Sequence, residues 1–292
     1  MRIVANGIGI EIDDQGLPGG EPLLLIMGLG MQLTAWPDEL VQLLVSRGFR
    51  VIRMDNRDVG LSQGFDHLGV PNVPIQAIRY SLHLRVSAPY GIADMAQDAL
   101  GVLDALGLPR AHVCGASLGG MIAQHLAAKH PQRVKSLTLM MTTTGSRRLP
   151  QPGLRVRRAL VSRPASSATA DVVAHLEYVL KVIGSPAYPA DRERQRRRLE
   201  ANVRRAWRPA GTARQIVAVV ADGDRSPLLP LITAPTRVIH GEADPLVRVA
   251  AGHDLVQRIA GAVADIVPGM GHDLPLQLLP HFAQGIAENA AR

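Results

Sequence analysis

The sequence predicts an α/β fold: a mostly parallel sheet with helices on both faces, an antiparallel hairpin at one edge, and a helical insertion. Three observations lead there. Short apolar runs of strand length alternate with amphipathic helical stretches, and alternation of that kind produces a parallel sheet buried on both faces. The first twelve residues read as a hairpin, because Ile3–Ala5 and Ile8–Ile12 flank the turn dipeptide Asn6-Gly7. Between residues 143 and 230 the alternation stops, and an Arg-rich, Pro-punctuated, mainly helical block without a good strand takes its place.

The elements follow in order. After a Gly/Pro-rich turn at Gly16–Gly20, Leu23–Met27 is a continuous apolar run that suits a buried strand. A helix is expected from Trp36 to Ser46, with Pro37 tolerated in its first turn and Gly48 as the stop. Phe49–Met54 is the next strand, and residues 64–90 show no clear period and read as a long loop or short helical excursion. Ile92–Leu106 is an amphipathic helix closed by Gly107; Ala111–Cys114 is a strand, Leu118–Lys129 a helix and Val134–Met141 a strand. Beyond the insertion the alternation resumes with strands at Arg237–His240 and Ala264–Val267 and helices at Val249–Ile259 and Leu276–Asn289. The expected division is therefore a core of residues 1–142 and 231–292 and a helical lid of residues 143–230.

Composition narrows the function. With 47% apolar residues the 292-residue chain can bury a large core, and its 3% aromatic content leaves that core to aliphatic side chains. No apolar run is long enough to span a bilayer, and Met1–Asp14 reads as strand–turn–strand and not as a secretory leader. The single cysteine, Cys114, cannot form an internal disulfide; it is read as core packing, and a reducing cytoplasm is the expected compartment. The net charge of +7 raises the question of nucleic acid. Residues 142–214, however, hold sixteen of the 32 basic residues and five of the 25 acidic ones, so the excess belongs to the insertion. No nucleic-acid reader motif accompanies it, and no nucleic-acid partner is expected.

The candidate chemistry centres on Gly115-Ala116-Ser117-Leu118-Gly119, a G-x-S-x-G pentapeptide with a strand before it and a helix after it. A sharp strand–turn–helix bend lifts a serine hydroxyl above the sheet, and the glycines let the backbones approach closely. The helix start adds free N–H groups beside a developing negative charge. The pentapeptide is weak alone and gains from this context. A neutral hydroxyl needs a general base, and His272 lies in the Gly-rich loop Pro268-Gly269-Met270-Gly271-His272 after the last strand. The base needs an orienting carboxylate, and Asp244 and Glu242 compete for that role in His240-Gly241-Glu242-Ala243-Asp244. The other place for an acid, after the strand that follows the nucleophile helix, reads Thr142-Thr143-Thr144-Gly145 and has no carboxylate. Two oxyanion donors are expected: the N–H of Leu118, and that of Leu29 in Met27-Gly28-Leu29-Gly30.

These stretches, with Ala35-Trp36-Pro37 and Asp55-Asn56-Arg57-Asp58-Val59-Gly60-Leu61-Ser62, resemble the α/β-hydrolase superfamily in order and over nearly the whole length. Of these, Leu25–Gly30, Ala35-Trp36-Pro37 and Asp55–Ser62 are similar to bacterial carboxylesterase-like members, including anthracycline methylesterases. The resemblance favours Asp244 over Glu242. It implies the order Ser117…Asp244…His272 and cofactor-free hydrolysis of a small-molecule ester through an acyl-enzyme. Perhydrolases, lactonases, thioesterases and carbon–carbon hydrolases share the same triad, and a binding protein on this scaffold would lack a member of it. Many relatives carry His-Gly where this chain has Met27-Gly28, so the hydrogen bonding of that loop must differ.

Other candidates point to ordinary structure. Asp94 and Asp98 are expected on a solvated helix face. His125 and His130 are five apart, not the four of a helical zinc pair, and no metal is expected. Gly28-Leu29-Gly30 lacks the third glycine of a dinucleotide site. The Arg192–Arg198 run reads as a solvated lid face, with a carboxylate-bearing substrate as the alternative.

Overall fold

The computed structural model describes all 292 residues. Eight strands form one sheet: β1 (Arg2–Ala5), β2 (Ile8–Gln15), β3 (Glu21–Ile26), β4 (Phe49–Met54), β5 (Ala111–Ala116), β6 (Val134–Met140), β7 (Thr236–Gly241) and β8 (Val263–Val267). Their spatial order is β1-β2-β4-β3-β5-β6-β7-β8. β1 pairs antiparallel with β2 and β2 antiparallel with β4, while every pair from β4 to β8 is parallel. The hairpin turn lies at Asn6-Gly7, both in left-handed backbone, as a type I′ turn requires.

Helices α1 (Asp38–Val45), α2 (Val73–Ser81), α3 (Ile92–Ala105) and α4 (Leu118–Lys129) precede the insertion; α9 (Ala250–Arg258) and α10 (Leu279–Ala290) follow it. The sheet divides two apolar layers. On one face Leu24, Ile26, Ile52 and Val113 pack with α3 and α4; on the other Leu23, Leu25, Val51 and Ile239 pack with α1 and α10. The even and odd positions of β3 supply opposite layers, which is the two-residue period of a strand. This is why the central strands read as unbroken apolar runs.

The insertion holds α5 (Leu154–Val161), α6 (Thr169–Ile183), α7 (Arg192–Arg205) and α8 (Pro209–Asp222). The ambiguous 64–90 stretch contains the short helix α2, no residue of which is buried. Without a buried stripe it leaves no period to read. No helix is long and apolar enough to cross a membrane.

One expectation fails at α3. Asp98 is buried, not solvated: Arg57 Nη2 donates to its Oδ1 at 2.7 Å and Asn6 Nδ2 to the same oxygen at 2.9 Å. Both partners are distant in sequence, so helical spacing gave no sign of them. His125 faces Asp222 Oδ1 at 2.9 Å, and His130 bonds Gln97. Cys114 is fully buried, and burial pushes its thiol well above the usual range, in keeping with core packing.

Candidate active site

Ser117 occupies the bend between β5 and α4 with φ 53° and ψ −118°. A non-glycine residue with positive φ is strained unless its surroundings hold it there. They do so from both sides: Ser117 N–H donates to Met140 O at 2.9 Å, and the Thr142 hydroxyl donates to Ser117 O at 2.7 Å. Glycine is required next door. A Cβ on Gly119 would stand 2.0 Å from Ile26 O, and one on Gly115 would stand 2.3 Å from Gly119 O.

The loops after β7 and β8 converge on this bend. His272 Nε2 lies 3.1 Å from Ser117 Oγ, and His272 Nδ1 lies 2.7 Å from Asp244 Oδ2. Asp244 Oδ1 accepts two backbone bonds, from Leu246 and Val247 N–H, each at 2.8 Å. An ionised carboxylate only accepts, so Nδ1 carries the ring proton and Nε2 turns a lone pair toward the serine hydroxyl. Asp244 and His272 are buried, whereas Glu242 is exposed and makes no side-chain bond. The structure thus brings Asp244, which the resemblance favoured, and not Glu242 beside His272.

The sequence reading missed His240. It is fully buried at the end of β7, donates from Nε2 to Val247 O at 2.8 Å, and lies 3.7 Å from Asp244 Oδ2. Burial lowers its pKa, so it stays neutral and braces the turn that carries Asp244. Its position two residues ahead of Glu242 was visible; its inward direction was not.

The Met27–Gly30 loop lies directly over the bend. A Cβ on Gly28 would be 3.2 Å from Ser117 Cβ. Asn56 Nδ2 donates to Met27 O at 2.8 Å, and Gly30 N–H donates to Gln215 Oε1 at 2.9 Å. These two side chains hold the loop in the absence of a histidine at position 27. The N–H groups of Leu29 and Leu118 have no acceptor within the chain, as a pair of donors awaiting a ligand oxygen would require.

The Asp55–Ser62 stretch braces the site, and its Asp58, Val59 and Gly60 also line the cavity beside Ser117. Asp55 accepts from Leu33 N–H at 2.7 Å and Leu61 N–H at 2.9 Å, and from Arg205 Nη1 of α7 at 2.7 Å. Ser117, His272 and Leu29 share a mainly apolar cavity of about 270 Å³ with Val179, Val203 and Trp207 of the insertion. Positions 198, 199, 202, 203 and 206 turn one side of α7 and its end toward that cavity. Arg198 is thus the one member of the arginine run that lines it; Arg192, Arg194, Arg196 and Arg197 are exposed. No three His, Cys, Asp or Glu side chains are grouped to hold a metal ion.

Comparison with known proteins agrees with this architecture. Residues 21–276 match the family described as alpha/beta hydrolase fold. The rhodomycin D methylesterase of Streptomyces peucetius is 31% identical, with 98% of this chain and 96% of that protein aligned. A rhodomycin D methylesterase of another Streptomyces is 30% identical over 93% of this chain and 91% of its own length. Among solved structures, the enol-lactonase from Burkholderia xenovorans superposes with a TM-score of 0.74 at 24% identity over the whole of both chains, a likeness of fold. The chain belongs to the alpha/beta hydrolase fold family and is a hydrolase.

Proposed function

We propose that the chain is a carboxylic ester hydrolase that works through an acyl-enzyme, with Ser117 as nucleophile, His272 as general base and acid, and Asp244 as the carboxylate that orients it. The observation that carries this reading is the continuous line of contacts Ser117 Oγ–His272 Nε2–His272 Nδ1–Asp244 Oδ2, at 3.1 and 2.7 Å. His272 Nε2 takes the hydroxyl proton as Ser117 Oγ attacks the ester carbonyl. The negative oxygen that forms is held by the N–H groups of Leu29 and Leu118. Collapse breaks the bond to the alkoxy group, which leaves as alcohol with the proton from Nε2. Water then gives its proton to Nε2 and attacks the acyl carbon, and the acid departs as Ser117 Oγ is reprotonated.

In this reading residues 143–230 form a lid whose apolar side chains receive the acyl or alcohol group. The name of the methylesterase relatives supports an ester as the scissile group. A lone buried thiol fits a reducing cytoplasm. Ser117→Ala should abolish hydrolysis of a p-nitrophenyl ester and labelling by a fluorophosphonate while the protein keeps its circular dichroism spectrum. Retained turnover in that variant rejects the assignment.

A further inference from the structure

We infer that Ser185, which belongs to the insertion, is a positioning residue for His272: its hydroxyl ties together the two residues that flank the base. The inference rests on the proposed role of His272 as base.

The chain leaves α6 at Ile183 and runs alongside the His272 loop. His272 N–H donates to Ile183 O at 2.8 Å, and Ala187 N–H donates to Gly269 O at 3.2 Å. Between these backbone bonds sits the Ser185 hydroxyl. It accepts from Gly271 N–H at 2.8 Å and donates to Asp273 Oδ1. One oxygen thus binds the residue before the base and the residue after it. The approach is as close as backbones allow, since a Cβ on Gly271 would lie 2.4 Å from Gly184 O. Part of the support for the proposed base therefore comes from the insertion, through the Ile183 carbonyl and the Ser185 hydroxyl.

Asp273 adds an electrostatic consequence. Its carboxyl is largely withdrawn from water, which raises its pKa, and the Ser185 bond works in the opposite direction by favouring the ionised form. The field of His272 favours that ionised form as well, and the Asp244 carboxylate disfavours it. Arg198 lines the same cavity, and Ser185 is the side chain bonded to Asp273. Removing the Ser185 hydroxyl both loosens the base and lets Asp273 take up a proton more readily.

The test compares Ser185→Ala, Ser185→Thr and Asp273→Ala with the unmodified enzyme on a p-nitrophenyl ester at neutral pH. A misplacement of about 1 Å in catalytic geometry costs on the order of a hundredfold in rate. Ser185→Ala should accordingly lower kcat by about ten- to a hundredfold, with KM changed less than about twofold. Asp273→Ala, which removes the acceptor of the same hydroxyl, should lower kcat in the same direction. Ser185→Thr, which keeps the hydroxyl, should restore kcat. An unchanged kcat in Ser185→Ala overturns the inference. So does a loss that Ser185→Thr does not rescue, which would mark a merely structural serine. If Ser185→Ala does not fold, Asp273→Ala decides alone, and an unchanged kcat there overturns the inference. His272→Ala separates the two levels: full activity in that variant removes the base assignment, whereas an inactive His272→Ala beside an unaffected Ser185→Ala removes only the role of Ser185.

Discussion

Arg214 of α8 closes a two-pronged bond on Asp58 of the core, Nε to Oδ2 at 2.8 Å and Nη2 to Oδ1 at 2.7 Å, and neither side chain reaches solvent. Asp58 also accepts from the Tyr90 hydroxyl and from Phe65 N–H, each at 2.8 Å. Arg214 spends another N–H on Gly69 O. Every lone pair and proton of the pair is nearly satisfied, and that satisfaction is what makes a buried ion pair tolerable. Removing one partner leaves an uncompensated charge. Arg214→Ala should cost about 3–5 kcal/mol in urea unfolding. A loss under about 1 kcal/mol would mean that water or another cation reaches Asp58 without penalty.

That pair also marks the limit of what the sequence conveys. The alternation of strands and helices, the turn at Asn6-Gly7 and the bend at Ser117 are local, so periodicity and turn chemistry reveal them. The sequence singled out Ser117, Asp244 and His272 just past strand ends, which share one edge in a parallel sheet, and the structure brings the three together. Asp58 and Arg214 lie 156 residues apart, and Arg57 and Asp98 lie 41 apart. No local pattern links such residues, and the helical spacing of Asp94 and Asp98 suggested solvent instead. Ser185 was hidden for the same reason, since its hydroxyl matters only once residues 183–187 lie against residues 269–273.

Asp244→Asn tests the proposed orientation of His272 as base. An amide can turn its NH₂ toward Nδ1, which moves the ring proton to Nε2 and leaves no lone pair for Ser117. The buried Asp244–His272 contact at 2.7 Å leaves no room for water to take over. The loss in kcat should be about 10³- to 10⁴-fold, with little change in KM, as expected for a carboxylate that selects the tautomer. Steady-state kinetics at neutral pH check this, and a loss below about tenfold would transfer the orienting role elsewhere.

His240 predicts a pH dependence of stability. Burial lowers its pKa in the folded state, so the unfolded chain binds the extra proton first. Its contribution is fully present above the unfolded value of about 6.5 and declines as the pH falls below it. His112 and His175 are shifted down by burial in the same sense. Thermal unfolding midpoints should therefore fall between about pH 7 and pH 5. The slope should be shallower in His240→Asn, which removes one of the three titrations. Equal slopes in the two proteins would show that His240 is solvated or already charged.

Gly119→Ala sets two effects against each other at the start of α4. In an exposed helix the exchange would stabilise by about 1 kcal/mol, because alanine is the better helix former. Here the new methyl would meet the carbonyl oxygen of Ile26 at 2.0 Å, and that oxygen is backbone at the end of β3 and cannot swing aside. Overpacking of this kind costs about 1–3 kcal/mol, so the clash outweighs the propensity and the midpoint should fall. The displacement is also directed, because Ile26 leads straight into Met27-Gly28-Leu29, whose Leu29 N–H is proposed to hold the oxyanion. Loss of one such donor costs about a hundredfold or more in kcat. The variant should therefore lose activity at temperatures where circular dichroism shows it fully folded. If activity and folding instead decline together with temperature, the Ile26–Gly119 contact supports the fold without setting the position of Leu29.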